Sequence, residues 1–78
     1  VARQLAGREV QRLRARADGI ERDLARGVIG ATGQPLPYLV QAHAEARAEL
    51  PRIREEIARF ESMTDLEVRR WAFERGAQ

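Results

Sequence analysis

Residues 36–60 read LPYLVQAHAEARAELPRIREEIARF. Within them Leu36, Leu39, His43, Ala46, Leu50, Ile53, Ile57 and Phe60 recur at alternating steps of three and four, the repeat of a helix with one apolar seam. Pro35 and Pro37 stand where a first helical turn tolerates proline, because the amide hydrogens there lack intrahelical partners. A helix is therefore expected from about residue 36 to 61. Pro51 lies inside it, where it removes the bond to the carbonyl of Arg47 at an intrinsic cost of ~3 kcal/mol or more. The apolar phase nevertheless continues through position 51, which is off the seam. One helix bent near Pro51, with the ring on its outer side, is the expectation.

Upstream, Ala6, Val10, Leu13, Ala17, Ile20 and Leu24 make a second seam, which predicts a helix over about 2–26. Gly27, Gly30, Gly33 and Pro35 break it, so 27–35 reads as a loop. Folding the two seams antiparallel about that loop sets Leu24 against Leu39, Ile20 against His43, Ala17 against Ala46, Leu13 against Leu50, Val10 against Ile53 and Ala6 against Ile57. Closest approach then falls at Ala17/Ala46, where no bulky side chain holds the backbones apart.

Thr64-Asp65-Leu66-Glu67 has the form of a capping box and predicts a third helix over about 65–75, with Gly76 as its stop. Leu66, Val68, Trp71, Ala72 and Phe73 make it too apolar for a free tail, so it should pack on the open end of the hairpin near Ala2, Leu5 and Phe60. The predicted fold class is all-α: an antiparallel, coiled-coil-like helical hairpin with a short third C-terminal helix, one small domain over 1–78. Oligomerisation could extend it into a bundle.

The chain has 78 residues, no cysteine and a formal net charge of +2. A core of this size rarely supplies more than ~3–5 kcal/mol without a staple, and neither a disulfide nor a cysteine-based zinc site is available. Oligomerisation or a larger partner is the remaining support. Apolar residues are 44% and charged ones 33%, which suits soluble helices rather than disorder. No apolar run reaches the ~18 residues of a membrane span. Arg3 and Arg8 flank only a short Leu5-Ala6-Gly7 stretch, unlike a signal peptide, and a cytoplasmic setting is expected. Val1 in place of an initiator Met leaves open a processed start or a longer parent chain. All 14 basic residues are arginine, with no Lys and no Asn. The missing Asn points to codon bias rather than to selection for guanidinium chemistry.

For catalysis the inventory is poor. There is no Cys, a single His, and Ser62 has no evident partner. The carboxylates alternate with arginine along helices, and a two-helix hairpin offers no concave pocket in which to shift them. Neither an enzyme, a cofactor, a metal nor a small-molecule substrate is expected. Gly27, Gly30 and Gly33 lack the following Lys-Ser/Thr and the preceding strand of a phosphate loop. His43 reads as a hydrogen-bonded seam histidine; the sharper alternative is a proton-sensitive position titrating near ~6.5.

Two surfaces remain. Arg8, Arg12 and Arg16, spaced four apart, form with Arg14 a basic ridge for an anion or nucleic acid, although no aromatic residues interleave with them and the bland reading is a solvated face. Tyr38, Val40, Val28, Ile29, Trp71 and Phe73 offer apolar area beyond what a two-helix interface uses and are the protein-interface candidates. Trp71 and Phe73 are about 200° apart around a helix, so one of them is spare. Ala31-Thr32-Gly33-Gln34 and Arg52-Ile53-Arg54-Glu55-Glu56-Ile57-Ala58-Arg59 resemble segments of the helical-hairpin protein of the large ribosomal subunit. The spacing between them is longer here, the Lys-rich surface is absent and a third helix is added, so its RNA-binding role is not carried over. The expected function is a non-catalytic protein-interaction or assembly module, as a homo-oligomer or a small subunit of a larger complex. A nucleic-acid-binding or small regulatory protein is second.

Overall fold

A computed structural model describes residues 1–76. It contains three helices: α1 (Ala2–Arg26), α2 (Pro37–Glu61) and α3 (Asp65–Glu74). The first two pack as an antiparallel hairpin, and α3 lies against α1. Helix α2 starts one residue later than the sequence suggests, because Leu36 is extended and serves as its N-cap. It runs on through Pro51, which is exposed. Helix α3 stops at Glu74, and Gly76 takes the positive φ of 73° that suits a residue without a β-carbon.

The core is a single strip. Ala6, Leu13, Ala17, Ile20, Leu50, Ile53, Phe60 and Val68 are buried, with Val10, Leu24, Ala46, Ile57 and Trp71 packed at its margins. Both seams thus face inward, but not in the register that their pattern suggests. His43 reaches the carbonyl of Leu24, one turn beyond Ile20. Arg14 pairs with Glu61 and Glu21 with Arg54. Phe60 shares a groove with Ala6 and Val10, where the expected register sets Ile57 and Ile53 against them, a displacement of three to seven residues. The two ion pairs are displaced in the same direction across their long side chains. Helix α2 is slid by about one turn toward the loop. A heptad seam brings apolar residues against apolar residues again after every three or four positions, so burial alone does not choose between registers a turn apart. Ala17 is buried, whereas Ala46 is only half-buried and lines the loop end.

The loop sets this slip. Beyond Gly27 (φ 75°) the chain stays extended, pairs Ile29 with Pro35 in an isolated antiparallel bridge, and turns at Gly33 (φ 80°). Gly30 N–H donates to Gln34, Gly33 N–H to Gly30 and Leu36 N–H to Val28. A β-carbon on Gly30 would lie 2.9 Å from the Leu36 side chain, so this close approach needs glycine. An excursion of two short extended arms carries the chain past the end of α1, and α2 begins there.

At the other end the same slip bares the first turn of α1, and α3 covers it. Arg3 pairs with Asp65 at the start of α3 and Glu9 with Arg75 at its end, so α3 runs in the same sense as α1. The capping box is complete: Glu67 N–H donates to the Thr64 hydroxyl at 3.2 Å, and Thr64 N–H donates to the Glu67 carboxylate at 3.1 Å. Val68 and Ala72 are buried, and Trp71 meets Phe60 edge-on with ring centroids 4.8 Å apart.

Candidate functional site

The basic ridge of α1 is divided by its partners. Arg14 is drawn to Glu61 at 3.4 Å and Arg16 to Glu49 at 2.7 Å, on either side of the hairpin. Arg8 and Arg12 point elsewhere, into a groove of about 340 Å³ between α1 and α3 that Leu5, Glu9, Trp71, Ala72 and Arg75 complete. Glu9 is the hub of this groove, with its side chain only 12% exposed, and it holds both Arg12 and Arg75. Its hydrogen bond from Arg12 keeps the carboxyl below the usual carboxylate range against the opposing effect of burial, and the charges of Arg12 and Arg75 add to this. Arg75 also lies over the Trp71 ring at 5.2 Å from its centroid. Among the described residues Arg8 makes no ion pair.

The apolar candidates also separate. Trp71 is half-buried and spent on Phe60, whereas Phe73 is 77% exposed. Sequence reasoning established that one of the two is spare; helix α3 docks by its Val68–Trp71–Ala72 side and leaves Phe73 outside. Leu66, not singled out as an interface residue in the sequence, is 68% exposed. Leu66, Arg69, Arg70 and Phe73 follow the i, i+3, i+4, i+7 spacing of one helix face, so they form a ridge with two arginines between two apolar ends. That spacing is legible in the sequence once the buried side of α3 is known.

At the loop end Val28 is half-buried, because its carbonyl is tied to Leu36 and its side chain lines the groove below Val40 and His43. Ile29 is 58% exposed and Tyr38 69%, and Val40 is exposed too. Ile29 borders a second groove of about 390 Å³, floored by Leu24, Leu39, Ala42 and Ala46 and edged by Asp23 and Arg26. His43 separates the two grooves. Its Nε2 donates to the Leu24 carbonyl and its Nδ1 accepts from the Arg47 guanidinium, each at 3.1 Å; a carbonyl only accepts and a guanidinium only donates, which fixes the Nε2–H tautomer.

Among the described residues no three His, Cys, Asp or Glu side chains gather in a way that could hold a metal ion. No helix among the described residues is long and apolar enough to cross a membrane. Comparison with protein-family models, with curated proteins and with solved structures gives no match.

Proposed function

We propose that this chain is a non-catalytic helical interaction and assembly module, working as a homo-oligomer or as a small subunit of a larger complex. One observation carries the reading: the chain buries too little of itself. Its accessible surface is 6157 Å² for 8.9 kDa. A compact monomer of that mass exposes about 4,800 Å². Its radius of gyration is 16.9 Å, against roughly 11–12 Å for a compact chain of this length. The exposed Phe73 and Leu66 add large apolar side chains of the kind that anchor interfaces. A cytoplasmic setting belongs to the same proposal.

Light scattering from low micromolar to high micromolar concentration tests it. The expected result is a mass above that of one chain, rising with concentration. A single-chain mass throughout, with a melting temperature indifferent to concentration, would remove the self-associating form of the proposal.

A contact of the Arg8–Arg12 groove with nucleic acid is the second reading, favoured by the unpaired Arg8 beside Trp71. It ranks lower because Arg14 and Arg16 are held in ion pairs, which leaves no continuous row of cations to follow a phosphate backbone. A band shift with random RNA or DNA that is absent even at low salt excludes it.

A further inference from the structure

The exposed apolar side chains are not scattered along the molecule. Ile29 and Tyr38 sit at the loop end, Ile29 on the rim of the groove floored by Leu39, Ala42 and Ala46, with Val40 on the other side of His43. Leu66 and Phe73 sit on α3, which lies against the beginning of α1. Helix α3 ends beside Glu9, so about seventeen residues of α1 separate that end from the loop, roughly 25 Å at 1.5 Å per residue, on a molecule measuring 54 × 21 × 15 Å. We infer that the partner is a second copy of this chain lying antiparallel alongside the first, so that the α3 ridge of each copy rests on the loop-end patch of the other. The inference rests on the assembly reading above and gives it a geometry.

Symmetry argues for this arrangement. Under a two-fold axis across the rod, the loop end of each copy meets the α3 end of its neighbour, and both patches of both copies are covered at once in a closed pair. Placing the rods parallel would set like against like.

Charge points the same way. Residues 15–50, the loop half, hold four arginines and five carboxylates, whereas the rest of the chain holds ten and seven. The halves thus differ in sign, and antiparallel pairing sets positive against negative where parallel pairing sets like charges together. Locally, the ridge carries Arg69 and Arg70 between Leu66 and Phe73. At the other end Glu45 shares a helix face with Tyr38 and Ala42, while Asp23 at the groove edge is paired with Arg26. The rod shape leaves surface to spare, roughly 1,300 Å² beyond that of a compact monomer of this mass. A standard interface takes about 800 Å² from each partner.

The absence of cysteine makes the test clean. Thr32→Cys marks the loop tip and Glu74→Cys marks the last turn of α3; both positions are exposed. With a short flexible bis-maleimide, an equimolar mixture of the two single variants should give covalent dimers, and each single variant alone should give at least tenfold less. The double variant should also stop at dimers. Dimers from either single variant alone, as abundant as from the mixture, would overturn the antiparallel arrangement while leaving self-association intact. So would a ladder of larger products from the double variant, which reports an open head-to-tail chain. A folded chain with a single-chain mass by light scattering and no cross-linked product would sink both this geometry and self-association. As an independent arm, Phe73→Glu should raise the dimer dissociation constant at least tenfold while the fluorescence of Trp71 stays that of the docked helix. Unchanged association in that variant overturns the assignment of the ridge.

Discussion

His43 occupies a seam position where leucine would be the simpler choice, yet its two hydrogen bonds contribute little that other groups do not replace. The Leu24 carbonyl also receives the Gly27 N–H at 3.2 Å, and Arg47 is exposed enough for water to take the place of the ring. His43→Leu therefore removes two polar contacts without stranding a buried partner, and it adds apolar area to a half-buried site. Stability by urea titration should stay within about 1 kcal/mol of the parent chain. Ile53→Ala, from a buried position, should by contrast cost about 2–5 kcal/mol. A loss above ~2 kcal/mol in His43→Leu would mean that the histidine organises the loop end after all. Pro51 is the opposite case, since it costs α2 a hydrogen bond and touches solvent instead of the core. Pro51→Ala should stabilise the hairpin by about 1–3 kcal/mol. Destabilisation would show that α2 needs the shape imposed by proline in order to lie along α1.

Helix α3 is the element most exposed to conditions, because two carboxylates tie it down. The Thr64 backbone N–H and, next, its side chain hold the Glu67 carboxyl below its ordinary value of 4.5, and Arg12 does the same for Glu9, which in turn holds Arg75. Both pKa values are lower in the folded chain than in the unfolded one. Their stabilisation is therefore complete above about 4.5 and is lost as the pH falls through the lowered folded values. On acidification Trp71 fluorescence should report loosening of α3 before far-ultraviolet circular dichroism reports loss of the hairpin, and Glu9→Gln should flatten that early phase. Coincident transitions would show that α3 and the hairpin open as one unit. Trp71→Ala should cost about 3 kcal/mol or more at neutral pH through loss of the Phe60 contact. At this scale the sequence was legible where a signal is local: two seams, a glycine-rich break and the capping box each lie within one element. What it left open were relations between elements. The heptad pattern repeats each turn, so the one-turn slip was hidden in it, and the extended excursion at Ile29 and Pro35 that causes the slip carries no periodicity to read. Phe73 was in the same position, since only the side by which α3 docks decides that Trp71 goes inward.

For the whole molecule, the consequence is a stability that belongs to concentration as well as to sequence. The most buried core residue, Val68, still retains 2% of its exposure, and the core is one strip between two helices with a short third across its end. If two copies cover each other's ends, the folded state is linked to association by mass action. Each tenfold rise in chain concentration then favours the folded dimer by about 1.4 kcal/mol. The melting temperature of the parent chain should climb by a few degrees per decade of concentration. In Phe73→Glu the same plot should be flat, and the two lines should converge at high dilution, because Phe73 contributes to the pair and not to the single rod. Added salt should lower the parent line toward the mutant one, since it screens the attraction between the positive α3 half and the negative loop half. A parent line that is already flat at low salt, with the chain fully helical, would mean that the hairpin and its third helix are sufficient alone, and the exposed ridge would then be free for a partner other than a second copy.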